Sequence, residues 1–165
     1  MPPEISHVGS ASPKESTALN PRRYQRELLE RATRENVIAV LGTGKGKTLI
    51  AVLLLRHVLN EERARGGLRK VAFLVNQVHL VIQQAKVIRD NVPVRVLEFY
   101  GEMDVDRWDL QKWRSVLDEA DVVVLTSQIL LDVFSHDYAK LEEVPSLFGF
   151  IMLDNMTCIV LFVDF

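Results

Sequence analysis

The chain has 165 residues, which is near the usual size of one domain. Hydrophobic residues make up 48% and charged residues 25%, the composition of a soluble globular protein, and no apolar run reaches the ~18 residues that a transmembrane helix needs. The net charge of −2 is not typical of nucleic-acid-binding domains, and the single cysteine, Cys158, excludes an internal disulfide framework. Without a signal peptide, the chain is expected to be intracellular, cytoplasmic or nuclear, with no membrane partner.

The first half of the chain predicts a leader, a helix, a strand and a second helix. Residues 1–20 are rich in Pro, Ser, Thr and Ala, so we expect a flexible leader. Apolar residues recur at helical spacing over residues 24–34, which predicts an amphipathic helix. The apolar run at 36–40 predicts the first strand, and a helical pattern follows from near Lys47 to about residue 60.

A glycine-rich segment, LGTGKGKT at residues 41–48, joins that strand to that helix. This is the context of a phosphate-binding P-loop, in which glycines let consecutive backbone N–H groups point at an anion. Lys47 would then reach the β- and γ-phosphates, and the Thr48 hydroxyl would bind Mg²⁺. The general P-loop pattern has Gly at the first position, where this chain has Leu41. The alternative is a simple glycine turn before a lysine-containing helix start.

The second half alternates strands and helices after a charged connection at residues 61–68. We expect strands at 71–75, 94–99, 121–125 and 148–153, and helices at 78–90, 108–117 and 129–134. This alternation predicts an α/β fold with a parallel sheet that helices cover on both faces. Ligands of such sheets bind at the carboxyl ends of the strands. The P-loop, Asn76, Thr126 and Asp154 all fall there.

Five stretches, in order, resemble the first RecA-like domain of Dicer-type RNA helicases, and the chain resembles the amino-terminal helicase domain of a fungal-style Dicer-like protein. The resemblance covers residues 21–154 and implies a RecA-like P-loop NTPase domain that binds ATP and Mg²⁺. The stretches are PRRYQRELLERA (21–32), LGTGKGKT (41–48), FLVNQVHLVIQQ (73–84), YGEMDVDRWDLQKW (100–113) and VVVLTSQILLD (122–132).

The resemblance also implies roles for individual residues. Gln25 would read the adenine edge, although without the family it would be interpreted as a solvent-facing residue of an amphipathic helix. Thr48 and Asp154 would hold Mg²⁺ through the nucleotide. The residues that the resemblance assigns to nucleotide binding are Gln25, Leu41, Gly42, Thr43, Gly44, Lys45, Gly46, Lys47, Thr48 and Asp154.

A second set of residues would face double-stranded RNA through small polar groups and helix N-termini. For Thr126 and Ser127 a simple helix cap is an equal alternative. For Trp108 and Trp113 we favour core packing over base stacking, and for the basic residues near 63–70 we favour a solvated loop. The residues that the resemblance assigns to RNA are Asn76, Gln77, Thr126, Ser127 and Gln128.

The resemblance breaks at the motif Asp-Glu-x-His, where this chain has Asp154, Asn155, Met156 and Thr157. Asn155 replaces the acid that would activate water, and an amide cannot take a proton at neutral pH. Residues 155–165 form an atypical tail, and the second RecA-like domain that completes the family's ATP site does not follow. The expectation is therefore a monomer that binds ATP weakly, does not hydrolyse it, and binds double-stranded RNA weakly at best. A regulatory or decoy module, another kind of P-loop enzyme, and a non-functional truncated fragment remain alternatives.

Overall fold

The computed structural model describes residues 20–67, 70–103, 105, 108–135, 148–154 and 158–163. These residues form five α-helices and six strands around one sheet, and a short 3₁₀ turn, Gly101–Met103, follows β3. The helices are α1 (Arg23–Ala32), α2 (Lys47–Ala64), α3 (Val78–Asn91), α4 (Leu110–Asp118) and α5 (Ser127–Ser135). The strands are β1 (Val37–Val40), β2 (Lys70–Val75), β3 (Val96–Phe99), β4 (Val122–Thr126), β5 (Phe148–Asp154) and β6 (Cys158–Val163).

The sheet has the strand order β1-β6-β5-β2-β4-β3. Four strands run parallel, since β2 pairs in parallel with both β4 and β5, and β3 pairs in parallel with β4. Strand β6 runs antiparallel between β5 and β1. The predicted strand–helix alternation is confirmed, but the sequence did not predict β6.

Helices cover the sheet on both faces, as predicted. Along β2 and β4, alternate residues point to opposite faces because the side-chain period of a strand is two. Val71, Phe73 and Val75 belong to the core cluster with α1, α2 and α3. Ala72 and Leu74 belong to the cluster that contains Trp113 and Leu117 of α4 and Ile129 of α5. Two apolar layers therefore hold the central strands in place.

Strand β1 differs from the continuously buried strand that its apolar sequence predicts. Its residues alternate between buried and exposed, and the side chains of Ile38 and Val40 are 68% and 77% exposed. The strand lies at one edge of the sheet, where α1 and α2 pack on one face only. Within the described part of the chain, no helix has the length and apolar character needed to cross a membrane.

Helix boundaries also differ from the prediction, by up to four residues. Helix α2 continues four residues beyond residue 60, to Ala64, and the chain then turns at Gly66, whose φ is 71°. Helix α4 begins at Leu110, so Trp108 precedes the helix instead of lying within it. Asp109 caps α4, with its carboxylate accepting a 2.7 Å hydrogen bond from the Lys112 backbone N–H. Asp is a favourable N-cap residue, which explains the later start.

Candidate functional site

The loop at residues 41–46 connects the carboxyl end of β1 to the N-terminus of α2. Gly44 and Gly46 both have φ of 76°, in the left-handed region that glycine adopts at little cost. Gly46 is the N-cap of α2, and among the described residues no side chain caps this helix. The first turn of a helix leaves backbone N–H groups without intrahelical acceptors, and its dipole favours negative charge. The loop therefore has the geometry of an anion site.

Lys47 lies across this loop. Its Nζ donates a 3.1 Å hydrogen bond to the carbonyl oxygen of Leu41, which links the helix end of the loop to its strand end. The ammonium thus adds a positive charge to the helix N-terminus, as a phosphate site requires. The other loop residues are in keeping with an accessible site, because Gly42, Thr43, Gly44 and Lys45 are all exposed.

Helix α1 braces the outer side of the loop through Gln25 and Tyr24. The Gln25 side chain is only 3% exposed, so its interpretation as a solvent-facing residue is wrong. Its Nε2 donates to the carbonyl oxygens of Lys45 and Gly46 at 3.2 and 3.4 Å, and its Oε1 accepts from the Arg22 backbone N–H at 2.8 Å. The Tyr24 hydroxyl donates to the Lys45 carbonyl oxygen at 2.6 Å. These bonds fix the loop, and adenine reading by Gln25 stays a prediction.

Thr48 has a contact that sequence reasoning missed. The Nε2 of Gln84, on α3, donates to the Thr48 hydroxyl at 3.4 Å. Gln84 is buried beside Val81, Ala85 and Ile88 on the inner face of α3. The helical spacing of these apolar residues predicts that Gln84 lies on the buried face of α3. A buried amide usually has a hydrogen-bond partner. This pattern could have identified Gln84 as a residue with a polar contact in the core.

The predicted RNA-facing residues come together where β2 and β4 end side by side. Ser127 begins α5 directly after β4, and its hydroxyl lies 3.4 Å from the Val75 carbonyl oxygen and 3.5 Å from Asn76 Oδ1. Thr126 is buried, and Ser127 is half-buried. The exposed members of the group are Asn76, Gln77 and Gln128.

The sequence and the fold both match known proteins. A family model described as DEAD/DEAH box helicase matches residues 22–161. The chain belongs to the DEAD/DEAH box helicase family. It is 44% identical over 144 residues to Dicer-like protein 1 of Aspergillus clavatus, an alignment that covers 85% of this chain and 9% of that protein. It is 48% identical over 126 residues to Endoribonuclease Dicer homolog 2b of Oryza sativa subsp. japonica, covering 76% of this chain and 9% of that protein.

Solved structures show that the helicase domain has a RecA-like fold. The crystal structure of the UvsW helicase from Bacteriophage T4 superposes with a TM-score of 0.58 at 25% identity, covering 81% of this chain and 42% of that chain. A hypothetical ATP-dependent RNA helicase from Sulfolobus tokodaii gives the same TM-score at 24% identity, covering 82% and 37%. The predicted fold class and the resemblance to the helicase domain of Dicer-like proteins are thus confirmed. The chain spans about a tenth of the length of the curated relatives it matches.

Asp154 of this helicase domain ends β5 at the same edge of the sheet as the loop. Its Cα is in register with Val75 of β2 on one side and with Ile159 of β6 on the other. Strand β6 therefore lies between the strand that ends at Asp154 and the strand that leads into the loop. Asn155 and Thr157, which stand at the Glu and His positions of the expected Asp-Glu-x-His motif, lie outside the described residues.

The two tryptophans pack together, as favoured from the sequence. Phe99, Trp108 and Trp113 form three ring contacts with centroid separations of 5.2 to 5.7 Å, and Trp113 is buried in the core on the α4 side. The Lys112 ammonium lies 5.5 Å from the centre of the Trp108 ring. The geometry favours a structural role for this cluster, because edge-to-face aromatic pairs stabilise a core beyond their buried area.

The basic residues near the end of α2 lie at the opposite, amino edge of the sheet. Arg63 is 3.8 Å from Asp121, which precedes β4, and Arg65 is 3.7 Å from Glu61. Lys70 Nζ donates to the Asp118 carbonyl oxygen at 3.5 Å. Arg69 lies outside the described residues. The described basic side chains therefore contact acidic residues and backbone rather than the predicted RNA-facing group.

Proposed function

We propose that this helicase domain binds ATP with Mg²⁺ at the loop between β1 and α2. The observation that carries the proposal is the loop itself, in which two left-handed glycines, the N-terminus of α2 and the bridging Lys47 converge. Such an arrangement suits the triphosphate of a nucleotide. The Thr48 hydroxyl, at the start of α2, suits Mg²⁺, and Asp154 would complete the metal shell from β5. Bound Mg²⁺ would neutralise phosphate charge.

In a longer protein similar to the Dicer-like relatives, the domain would be the ATP-binding half of a helicase that acts on double-stranded RNA. Processing of such RNA for gene silencing and antiviral defence is the biological role that this similarity supports. The domain would work inside the cell, in the cytoplasm or the nucleus. The similarity to Dicer-like proteins supports this proposal, and the polar residues at the ends of β2 and β4 would form the RNA-facing surface.

Substitution Lys47→Ala tests the nucleotide proposal. It removes the ammonium that crosses the loop, so Mg-ATP affinity should fall about ten- to hundred-fold, the effect of losing hydrogen bonds to a charged group. Isothermal titration calorimetry gives both affinities. Lys86→Ala is the matched control, because it removes the same charge from an exposed α3 residue that pairs with Asp90. Equal affinities for Lys47→Ala and the parent chain would show that the loop does not bind phosphate.

We also propose that the 165-residue chain does not turn over ATP. Asn155 stands where the family has a glutamate, and a neutral amide cannot accept the proton of the attacking water. Phosphate release should therefore stay far below the median enzyme rate of about 10 s⁻¹. Asn155→Glu alone should give no strong rescue, because phosphoryl transfer also needs cationic groups around the γ-phosphate that a second RecA-like domain supplies in this family. Rapid turnover by the unchanged chain, or strong rescue by Asn155→Glu, would contradict this proposal.

A further inference from the structure

Gln84 is a polar residue at a buried position of α3, where an apolar side chain would lose no hydration on burial. It lies in the middle of α3 between buried residues of the core, with only 5% of its surface exposed. An amide loses its hydration when it is buried and recovers the loss only through hydrogen bonds. The next residue, Gln83, is exposed. The two glutamines thus have the same chemistry on the same helix but opposite environments.

The Gln84 amide connects α3 to the start of α2. Its Nε2 donates to Thr48 Oγ1 at 3.4 Å, across 36 positions of sequence. Thr48 directly follows Lys47, whose ammonium crosses the loop. A threonine hydroxyl has two acceptor lone pairs and one proton. A donor on one lone pair restricts the rotation of the hydroxyl, so that the other lone pair keeps a defined direction.

We propose that Gln84 is a positioning residue that orients the Thr48 hydroxyl for Mg²⁺. Groups that hydrogen-bond to a metal ligand commonly fix the orientation of that ligand and raise metal affinity. Gln84 would act on the site through Thr48, whose hydroxyl accepts its amide hydrogen bond. The inference rests on the proposed binding of ATP with Mg²⁺. Gln84 should therefore contribute only to the gain in nucleotide affinity that Mg²⁺ produces.

The test compares Gln84→Met with Gln83→Met in the full 165-residue chain. Methionine keeps the length and the unbranched shape of glutamine but removes the amide. ADP affinity is measured by calorimetry with Mg²⁺ and again with EDTA. In Gln84→Met the gain in affinity on adding Mg²⁺ should shrink about three- to ten-fold, the effect of one hydrogen bond. Affinity in EDTA should not change, and Gln83→Met should match the parent chain in both conditions.

A double-mutant cycle adds a second arm. If Gln84 acts through the Thr48 hydroxyl, Gln84→Met should have no further effect on the Mg²⁺ gain once Thr48→Val has removed that hydroxyl. A measurement on the parent chain needs no variant at all. The Gln84 side-chain amide resonances should shift when Mg²⁺ is added to the ADP complex, whereas those of Gln83 should not.

The outcomes separate this inference from the proposed function. No ADP binding by the parent chain would overturn both. Binding of ADP without any Mg²⁺ gain would overturn the role of Gln84 and the Mg²⁺ part of the proposed function. An equal Mg²⁺ gain in all three chains would overturn the role of Gln84 alone. If Gln84→Met lowers ADP affinity equally with and without Mg²⁺, the role of Gln84 is merely structural. If Gln84→Met does not fold, an unmoved Gln84 amide resonance in the parent chain would still overturn the inference.

Discussion

Gly46 meets two separate constraints, whereas Gly44 in the same loop meets one. Both residues have φ of 76°, which a side chain disfavours. A Cβ on Gly46 would also run into the Gln25 amide, while a Cβ on Gly44 would have none of the described residues within 4 Å. The tight approach of Gln25 and the left-handed backbone therefore both exclude a side chain at Gly46. At Gly44 only the backbone conformation does so.

This difference predicts unequal costs for the same substitution. Gly44→Ala should lower the free energy of unfolding by about 1–2 kcal/mol, the cost of one left-handed residue. Gly46→Ala should cost about 1–3 kcal/mol more, because an inserted methyl group must displace Gln25 from its hydrogen bonds. Urea unfolding of the two variants measures both values. Equal destabilisation would show that Gln25 does not pack against Gly46 in solution.

Sequence and structure agree on the loop but differ on the residues around it. Lys47 and Thr48 are predictable because a contiguous motif places them, whatever the rest of the fold does. Gln25 contacts the loop from α1, and Gln84 contacts Thr48 of α2 from α3, so their partners lie 21 and 36 positions away. Local spacing predicts the face of the helix on which such a residue lies. It does not predict the atom that the residue meets.

At the scale of elements, burial depends on the position of a strand in the sheet as well as on its sequence. VIAV in β1 and VVVLT in β4 are both apolar, yet β1 lies at an edge and β4 in the interior. Val40 is 77% exposed and Val124 is fully buried. Hydropathy along one strand cannot predict this difference, because the order of strands is set by non-local pairing.

Matched valine-to-threonine substitutions test this contrast, since the change keeps the shape and adds one hydroxyl. Val124→Thr should lower the free energy of unfolding by about 1–3 kcal/mol, because the hydroxyl enters an apolar core. Val40→Thr should change it by less than about 0.5 kcal/mol, as exposed substitutions usually do. Chemical denaturation followed by circular dichroism provides the comparison. Similar costs at the two positions would contradict the edge position of β1.

Strand β6 shows where prediction of elements stops. Its sequence, CIVLFV, is apolar enough for a strand, but the sequence-based prediction treats residues 155–165 as an atypical tail. Only three residues separate β5 from β6, and a connection that short permits antiparallel pairing but not a parallel crossover. The structure places β6 between β5 and β1. Strand β1 therefore joins the rest of the sheet through β6, a pairing that no local pattern indicated.

At the scale of the whole molecule, the candidate sites lie at one edge of the sheet and the ion pairs near the end of α2 lie at the other. The loop and the polar residues after β2 and β4 lie at the carboxyl edge. Arg63, Asp121 and Lys70 lie at the amino edge, where Asp121 also accepts a 2.8 Å hydrogen bond from the Arg95 backbone N–H. The exposed members of the predicted RNA-facing group, Asn76, Gln77 and Gln128, are neutral. This surface offers hydrogen bonds to RNA but little charge.

Double-stranded RNA should therefore bind weakly to the 165-residue chain. Affinity for nucleic acid comes largely from phosphates that cationic side chains neutralise, and the net charge here is −2. We expect a dissociation constant above about 1 µM near physiological salt, in the range of non-specific binding, with a shallow dependence on salt. Fluorescence anisotropy with a labelled duplex measures both. Nanomolar affinity would show that the chain contacts RNA through a surface other than the predicted one.

Adding one positive charge at either edge of the sheet tests whether RNA binds at the carboxyl edge. Gln77→Lys adds a cation beside Asn76, so it should tighten binding and steepen the salt dependence by about one unit in the log–log slope. Asn60→Lys adds the same charge to an exposed residue near the end of α2, towards the amino edge. It should leave the slope unchanged, because a cation far from the phosphates releases no counterions. If both variants bind RNA more tightly by the same factor, affinity depends on total charge. The group at the ends of β2 and β4 is then not the RNA surface.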